Sequence, residues 1–286
     1  MKSARKGESA SVFIALLLLV SIARLSLISA QEVYDDPAVY AEMVREMAEA
    51  PSIVPHYLGN PVSWKPPVAF YIYALPAAVP WAIAPALEPM VALRIGPALA
   101  SIACAFVLFS IGKRLFGARQ GFVAGLVFLT ANATLSIANL MFLDTVLVLF
   151  ILLALYAYIR SAEDEKWLAP AFAFSALAGL AKGYAGLMAP LLGIAYYWAM
   201  GKSLRKPAFV ASLLAVPLAM IAYAVAFTFV VGDGGKEIFS LYLYDLIRRI
   251  FISGPGLLSN TTEFFRRAFP WLLVAPAGAA LLALRK

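Results

Sequence analysis

Four ionisable residues stand in an otherwise apolar chain where they could do chemistry together: Asp36, Lys65, Asp144 and Lys182. A carboxylate can act as a general base or hold a divalent metal ion. Lysine ammonium groups bind phosphate oxygens. Such groups suit a reaction on a phosphate ester, provided that the fold brings them to one side of the molecule.

Each of these residues also has a purely structural interpretation. Asp36 precedes a predicted helix with Pro37 at its first position, and Asp144 precedes a long apolar helix, so either can be an N-cap. Lys182-Gly183 has the form of a helix end with a glycine cap, where a cation is favourable near the negative end of the dipole. Lys65 precedes a double proline and can be an interface anchor. Spacing alone leaves both interpretations open.

The elements that must position these residues are membrane helices. The chain is 63% hydrophobic and only 14% charged, unlike a soluble domain of this length. Several apolar stretches reach the roughly 20 residues that span a hydrocarbon core. The net charge of +7 is carried by short basic clusters between these stretches, which is typical of cytoplasmic loops and not of a nucleic-acid surface. We therefore expect the lipid bilayer as a partner and no nucleic acid.

Counting charges on each side predicts the topology. The basic N-terminus is placed in the cytoplasm, residues 12–28 form the first span, and residues 31–92 form an outer loop. If the apolar stretch 67–87 also crossed the membrane, the basic loops 112–119 and 201–206 would face outwards, against the positive-inside rule. Its prolines remove helix hydrogen bonds as well. We therefore expect an irregular, interfacial segment there, within the outer loop.

The remaining apolar runs predict seven further spans, about eight in all, in an all-α, polytopic bundle. They lie near 93–112, 119–138, 144–160, 167–182, 184–200, 208–231 and 268–284. The whole chain, 1–286, then forms a single transmembrane domain with a second outer loop at 232–267 and no C-terminal soluble domain. We expect Arg24, near the outer end of the first span, to snorkel to the interface. Arg248 and Arg249 fall in the second outer loop, on the same side as the four residues above.

Several short motifs follow one another along the chain. Residues 36–49 predict an amphipathic helix, because Tyr40, Met43, Val44 and Met47 recur at helical spacing. The further motifs are Trp64-Lys65-Pro66-Pro67, Leu93-Arg94-Ile95-Gly96-Pro97-Ala98-Leu99, Gly112 to Arg119, Met141-Phe142-Leu143-Asp144, Leu180-Ala181-Lys182-Gly183 and Phe269-Pro270-Trp271. Their order resembles that of the GT-C membrane glycosyltransferases, in the branch of bacterial aminoarabinose transferases and protein O-mannosyltransferases.

This resemblance implies a GT-C-like fold with interfacial helices in the first outer loop. It also implies transfer of a glycosyl group from a polyprenyl-phosphate-linked sugar to an acceptor (protein, lipid or glycan) on the extracytoplasmic face of the cell membrane. Asp36 matches the catalytic carboxylate of the family and Asp144 its second outer acid. The substrate-binding candidates are Lys65 and Lys182, which match positions near the lipid phosphate, Arg94, which matches a family arginine, and in addition Arg248, Arg249 and Tyr40.

Two departures from the family pattern concern a metal. The Glu that follows the catalytic acid in the family is Pro37 here. The Glu of the Glu-Lys-Pro-Pro motif, associated with metal binding in the aminoarabinose branch, is Trp64. No cofactor is therefore predicted with certainty, and a divalent metal, if one binds, would use Asp36 and Asp144.

Two other functions remain open. A transporter or flippase for lipid-linked sugars would carry ionisable residues near the bilayer midplane and inverted repeats, whereas the acids and lysines here stand at the ends of spans and no repeat is present. A non-catalytic or split-enzyme subunit would require a partner membrane subunit. No motif identifies the sugar or the acceptor.

Overall fold

The computed structural model describes residues 10–28, 35–83 and 88–232, together with Ser240, Tyr244 and Ile247. Its helices are α1 (Ala10–Leu25), α2 (Asp36–Glu49), α3 (Val68–Ile83), α4 (Pro89–Leu115), α5 (Ala118–Thr130), α6 (Asn132–Asn139), α7 (Asp144–Ser161), α8 (Leu168–Lys182), α9 (Met188–Ala199), α10 (Pro207–Leu213) and α11 (Ala215–Val231). Two-residue strands β1 (His56–Tyr57) and β2 (Asn60–Pro61) pair antiparallel after α2. The span predicted at 268–284, Arg248 and Arg249 lie outside the described residues.

The described residues contain membrane-spanning helices. Three helical stretches, Pro89–Leu115, Asp144–Ser161 and Glu165–Ala199, are long and apolar enough to cross a bilayer, and α10 with α11 makes a fourth if the pair is one span bent by 49°. α1 and α5 are apolar but shorter. The predicted all-α, multi-pass membrane architecture is confirmed, while the count of eight spans stays a prediction.

The stretch Glu165–Ala199 is not one straight helix. A Cβ placed on Gly186 would lie 2.6 Å from the Cα of Gly179. Residues seven apart on a straight helix are separated by about 10 Å, so the chain reverses between them. The reversal follows Gly183, which has φ +63° and lies in a short 3₁₀ turn. α8 and α9 are therefore separate helices, and their crossing of the membrane as the two spans 167–182 and 184–200 stays a prediction.

Two predicted spans are interrupted. The run 119–138 divides into α5 and α6 at Ala131, whose backbone is extended. Polar residues on both sides of the break use local bonds: Thr130 bonds the carbonyl of Leu126, and Ser136 bonds the side chain of Asn132. Such side chains compete with the helix ladder. The run 208–231 bends before Pro217, which has no N–H to continue the ladder.

The irregular structure predicted for 67–87 is wrong over the described part of that segment. α3 is a continuous helix of 16 residues although Pro76 and Pro80 lie within it. Its buried face, formed by Ala69, Phe70, Tyr73, Ala74 and Ala77, belongs to the main apolar core. Burying one Phe stabilises by about 1.5–3 kcal/mol, which is comparable to the roughly 3 kcal/mol that a helix-interior proline costs. Tertiary packing thus overrides the proline signal, and the interfacial location of α3 stays a prediction.

The expectation that Arg24 snorkels to the interface is wrong. Its side chain is 2% exposed, and its three guanidinium nitrogens have no hydrogen-bond partner among the described residues. Arg24 lies on the same face of α1 as Leu17 and Ser21, which are buried as well. α1 packs on α4 and α5. The guanidinium group of Arg24 is therefore enclosed by the protein instead of lying exposed at its surface.

The largest apolar core positions the functional candidates. It joins α2, α3, α7 and α8, and its fully buried members include Met43, Phe70, Tyr73, Met141 and Leu143. α3 lies in contact with α2, α4 and α8. The beginning of α2 and the turn before α7 are consequently attached to the same body of packed side chains.

Candidate functional site

Asp144 and Lys182 form a direct ion pair. Asp144 is the first residue of α7 and Lys182 is the last residue of α8, and these two helices pack against each other. The Lys182 Nζ donates to the Asp144 Oδ2 at 2.6 Å, and the side chains are 28% and 37% exposed. A pair this accessible to solvent stabilises the fold by at most about 1 kcal/mol. Its main consequence is to hold a lysine ammonium group at a fixed place between two helix ends.

The structural interpretations of these two residues have different outcomes. The N-cap position of α7 is Leu143, so the Asp144 carboxylate is not an N-cap. Gly183, at φ +63°, does end α8, and its N–H bonds the carbonyl of Gly179. The glycine cap is confirmed. Lys182 therefore ends a helix and also pairs with Asp144.

Tyr73 fixes the turn that carries Asp144. The Tyr73 side chain is fully buried, and its hydroxyl donates to the Phe142 carbonyl at 2.7 Å. One residue earlier, Met141 has φ +63°, a left-handed conformation that costs about 1–2 kcal/mol for a non-glycine residue. A Cβ on Gly96 would approach the Tyr73 Cα to 2.7 Å, so glycine at that position lets α4 pass close to α3. The Tyr73 bond and this packing stabilise the strained turn.

Sequence analysis missed Tyr73, although a signal was present. A buried tyrosine usually finds a hydrogen-bond partner for its hydroxyl. A tyrosine inside an apolar segment, as here, therefore indicates a polar group of another element nearby. The sequence does not say which element that is.

Asp36 opens α2 on an exposed surface. The N-cap position is Asp35, at φ +57°, and no side-chain cap bond is made, so the interpretation of Asp36 as an N-cap is wrong. One turn later, the buried Tyr40 donates its hydroxyl to the Asp36 Oδ2 at 3.3 Å. This distance exceeds the usual 2.5–3.0 Å for O–H···O bonds, so the contact is weak. Asp36 is therefore oriented towards Tyr40 while it stays accessible.

Lys65 lies beside the same tyrosine. Its Nζ is 5.8 Å from the centroid of the Tyr40 ring and 5.5 Å from that of Trp64, within the range of cation–π attraction. The Lys65 carbonyl accepts a bond from the hydroxyl of Tyr223 in α11 at 3.3 Å. Tyr223 packs with Val54 in a small apolar cluster. Tyr223, a second residue that sequence analysis missed, thus ties the Lys65 segment to the bundle.

The opposite face of α2 carries a separate ion cluster. Arg45 pairs with Glu42 and Glu49 at 2.6 Å each. Hydrogen bonds from Arg45 hold the pKa of the Glu42 carboxyl below its usual value. Because residues 42, 45 and 49 lie on the side of the helix away from Asp36 and Tyr40, these acids are engaged elsewhere.

Both groups of candidates lie beside α3. Tyr40 contacts Phe70 of α3 edge to face, with ring centroids 6.2 Å apart, and Tyr73 lies on the same buried face as Phe70. Arg94 is buried near the start of α4. The structure thus brings Asp144 to Lys182, and Asp36 to Tyr40 and Lys65. A single cavity shared by all of them stays a prediction.

The same residues do not form a metal-ligand set. In the part of the chain that the structure describes, no three His, Cys, Asp or Glu side chains cluster as metal ligands would. Asp144 bonds an ammonium group, whose charge would repel a cation, and Trp64 presents its ring to Lys65.

Comparison with known proteins gives a family match. The sequence profile of the family described as dolichyl-phosphate-mannose-protein mannosyltransferase matches residues 64–229. This region contains Lys65, Arg94, Asp144 and Lys182 but not Asp36. Among curated relatives, the undecaprenyl phosphate-alpha-4-amino-4-deoxy-L-arabinose arabinosyl transferase of Edwardsiella ictaluri is 27% identical over 194 residues, 65% of this chain and 34% of the relative. The protein of Sodalis glossinidius with the same name followed by the number 2 is 27% identical over 225 residues, 76% of this chain and 38% of the relative.

Two solved structures share the fold. ArnT from Cupriavidus metallidurans bound to undecaprenyl phosphate has a TM-score of 0.57 and 21% identity, over 78% of this chain and 44% of that one. The same protein in the apo state has a TM-score of 0.60 and 19% identity, over 91% and 53%. The predicted GT-C-like fold is thereby confirmed. The chain spans about a third to a half of the length of these relatives.

Proposed function

Because the chain belongs to the dolichyl-phosphate-mannose-protein mannosyltransferase family, we propose that it transfers a glycosyl group from a polyprenyl-phosphate-linked sugar to an acceptor. Its relatives are named as undecaprenyl phosphate aminoarabinose transferases, and one structure of similar fold holds undecaprenyl phosphate. The observation that carries the proposal is the Lys182–Asp144 pair, which holds a cation beside the apolar core that contains Tyr40, the residue that Asp36 and Lys65 both contact.

The reaction is a displacement at the anomeric carbon. An acceptor hydroxyl attacks that carbon, the bond from it to the phosphate oxygen breaks, and polyprenyl phosphate leaves with the electron pair. Asp36 takes the proton of the attacking hydroxyl. Its carboxylate is exposed and holds only a weak bond from Tyr40, so it can exchange that contact for one to an acceptor. A positioned general base contributes about 10²- to 10⁴-fold in rate.

Two lysines stabilise the leaving phosphate. Lys182 has three N–H donors, and one of them bonds Asp144, which leaves donors for phosphate oxygens. The carboxylate is then a positioning group for Lys182. Lys65 supplies the second cation. Fixed donors aimed at developing charge lower the barrier most where water is excluded.

The membrane location follows from the donor. An isoprenoid tail partitions into the bilayer, which delivers it laterally to grooves between the helices. We place the N-terminus in the cytoplasm and the reaction on the extracytoplasmic face of the cell membrane, because the short basic loops then face inwards. The sugar and the acceptor depend on the shape of the pocket.

The test is an activity measurement on the purified full chain in nanodiscs. Radiolabelled polyprenyl-phosphate sugars (mannose and aminoarabinose) are supplied with an extract of membrane glycans, lipids and proteins as acceptor, and release of polyprenyl phosphate is followed. Asp36→Asn should lower turnover by about 10²- to 10⁴-fold. The matched control is Asp35→Asn, which removes the same charge one residue earlier and keeps a side chain that tolerates the positive φ; its turnover should stay near wild type.

Three outcomes would contradict the proposal. Equal turnover in Asp36→Asn and wild type would remove Asp36 from the mechanism. Movement of the labelled lipid across the bilayer without release of polyprenyl phosphate would identify a transporter. Activity that appears only after a co-purifying membrane protein is added would identify a subunit of a larger assembly.

A further inference from the structure

A groove lies at the end of the bundle away from Asp144. It is lined by Ile14 of α1, Tyr156 of α7 and the stretch of α4 from Phe106 to Arg114, and it has a volume of about 460 Å³. Tyr156 stands three helical turns beyond Asp144 on α7, about 18 Å along the helix axis. This inner groove is therefore separate from the site that holds the donor.

The walls of the inner groove are apolar. Ile14 is exposed, and Phe106 and Phe109 continue the wall along α4. The hydroxyl of Ser110 donates back to the carbonyl of Phe106 at 2.8 Å, so that donor is already used. A ligand along this wall must bring an apolar chain with it.

The rim of the inner groove consists of hydrogen-bond donors. Lys113 is exposed and has no acidic partner among the described residues. Arg114 bonds Glu163 through one nitrogen, and further N–H groups of its guanidinium remain. The Tyr156 oxygen accepts a bond from Arg160 at 3.4 Å, so its proton can be donated to a ligand. With one carboxylate against two cations, this rim attracts an anion.

We propose that the inner groove binds an anionic glycerophospholipid. The phosphodiester would accept bonds from Lys113, Arg114 and Tyr156, and one acyl chain would lie along Ile14 and Phe106. Basic pockets between the ends of membrane helices bind anionic lipid headgroups in this manner. Inorganic phosphate would leave the apolar wall uncovered, and a zwitterionic lipid would place a cation beside Lys113.

The test measures retained lipid and needs no glycosyl transfer. The purified full chain is exchanged into nanodiscs of phosphatidylglycerol and phosphatidylcholine in equal amounts, extracted into mild detergent, and its bound lipid is quantified by mass spectrometry. The wild type should retain phosphatidylglycerol in preference to phosphatidylcholine. The double variant Lys113→Gln/Tyr156→Phe should retain about tenfold less phosphatidylglycerol, because two donors to a charged group are lost.

Lys202→Gln is the matched control. Lys202 is an exposed lysine in another turn, after α9 and outside the groove, and this substitution removes the same charge. Its lipid retention should equal that of wild type. Equal loss in both variants would show a general effect of charge and overturn the proposal. So would equal retention of the two phospholipids, or displacement of phosphatidylglycerol by inorganic phosphate or by polyprenyl phosphate at equal concentration.

Discussion

The two acid–cation groups beside α3 are held by different contacts. Asp144 and Lys182 bond each other directly between two helix ends, at 2.6 Å. Asp36 and Lys65 both contact Tyr40: its hydroxyl donates a weak hydrogen bond of 3.3 Å to Asp36, and its ring lies 5.8 Å from the Lys65 ammonium. The first group is fixed in place, whereas the second can exchange its contacts for bonds to a substrate. We infer that Lys182, held by Asp144, anchors the donor phosphate, and that in the adjustable group Asp36 activates the acceptor while Lys65 adds a second cation to the phosphate.

The largest effect expected within the fixed group tests whether Lys182 and Asp144 act as one unit. Lys182→Gln should lower kcat/KM for the donor by about 100-fold, since it removes a donor to the developing phosphate charge. Asp144→Asn should lower it by about tenfold, because the lysine keeps its charge but loses its positioning bond. The double variant should be no worse than Lys182→Gln alone, as expected when one residue acts through the other. Steady-state kinetics on the purified variants provide the values. If the free-energy losses of the two single variants add in the double variant, Lys182 and Asp144 act independently and the fixed group is not one unit.

How much of this arrangement the sequence predicts depends on the range of the contacts. The bounds of α2 were predicted as 36–49 because its signals are local: a proline at the start and apolar residues at helical spacing. The break at Ala131 was not predicted although its surroundings are also local: the polar residues on both sides of it make bonds within their own helices.

Contacts between distant parts of the chain were least predictable. The charges at 144 and 182 could be placed at span ends, but their bond joins residues 38 positions apart. The pairing of Tyr73 with Phe142 spans 69 positions. The packing of helices decides such contacts, and neither spacing nor composition encodes it. Asp36, Lys65 and Arg94 were assigned through family resemblance, and their roles stay predictions.

A smaller effect tests what keeps the fixed group rigid. Tyr73→Phe removes the bond to the Phe142 carbonyl, and a net hydrogen bond of this kind contributes about 1 kcal/mol. The turn that carries Asp144 should loosen, so kcat should fall about fivefold to tenfold with little change in the KM of the acceptor. The matched control is Tyr71→Phe, which deletes a hydroxyl from the same helix that bonds the Ser52 carbonyl instead. Similar losses in kcat for both variants would mean that Tyr73 has no particular role in positioning.

The smallest expected effect tests how adjustable the second group is. Tyr40→Phe deletes the hydroxyl that bonds Asp36 and keeps the ring beside Lys65. Because the deleted hydrogen bond is long and weak, turnover should change by no more than about threefold. Tyr40→Leu also removes the ring, with a cation–π contribution of about 0.5–1 kcal/mol, and should raise the KM of the donor further. Thermal unfolding of both variants provides the control for lost packing. A loss in Tyr40→Phe as large as that in Asp36→Asn would show that the hydroxyl takes part in the chemistry.

The central claim is that two lysines from distant segments bind one donor phosphate in a cavity that Asp36 also faces. Its most direct measurement is a cryo-electron microscopy structure of the full chain in nanodiscs with polyprenyl phosphate bound. The account predicts the phosphate within hydrogen-bond distance of both Lys65 and Lys182, with Asp36 facing the same cavity. A phosphate that contacts neither lysine, or an Asp36 that opens onto a separate surface, would contradict it.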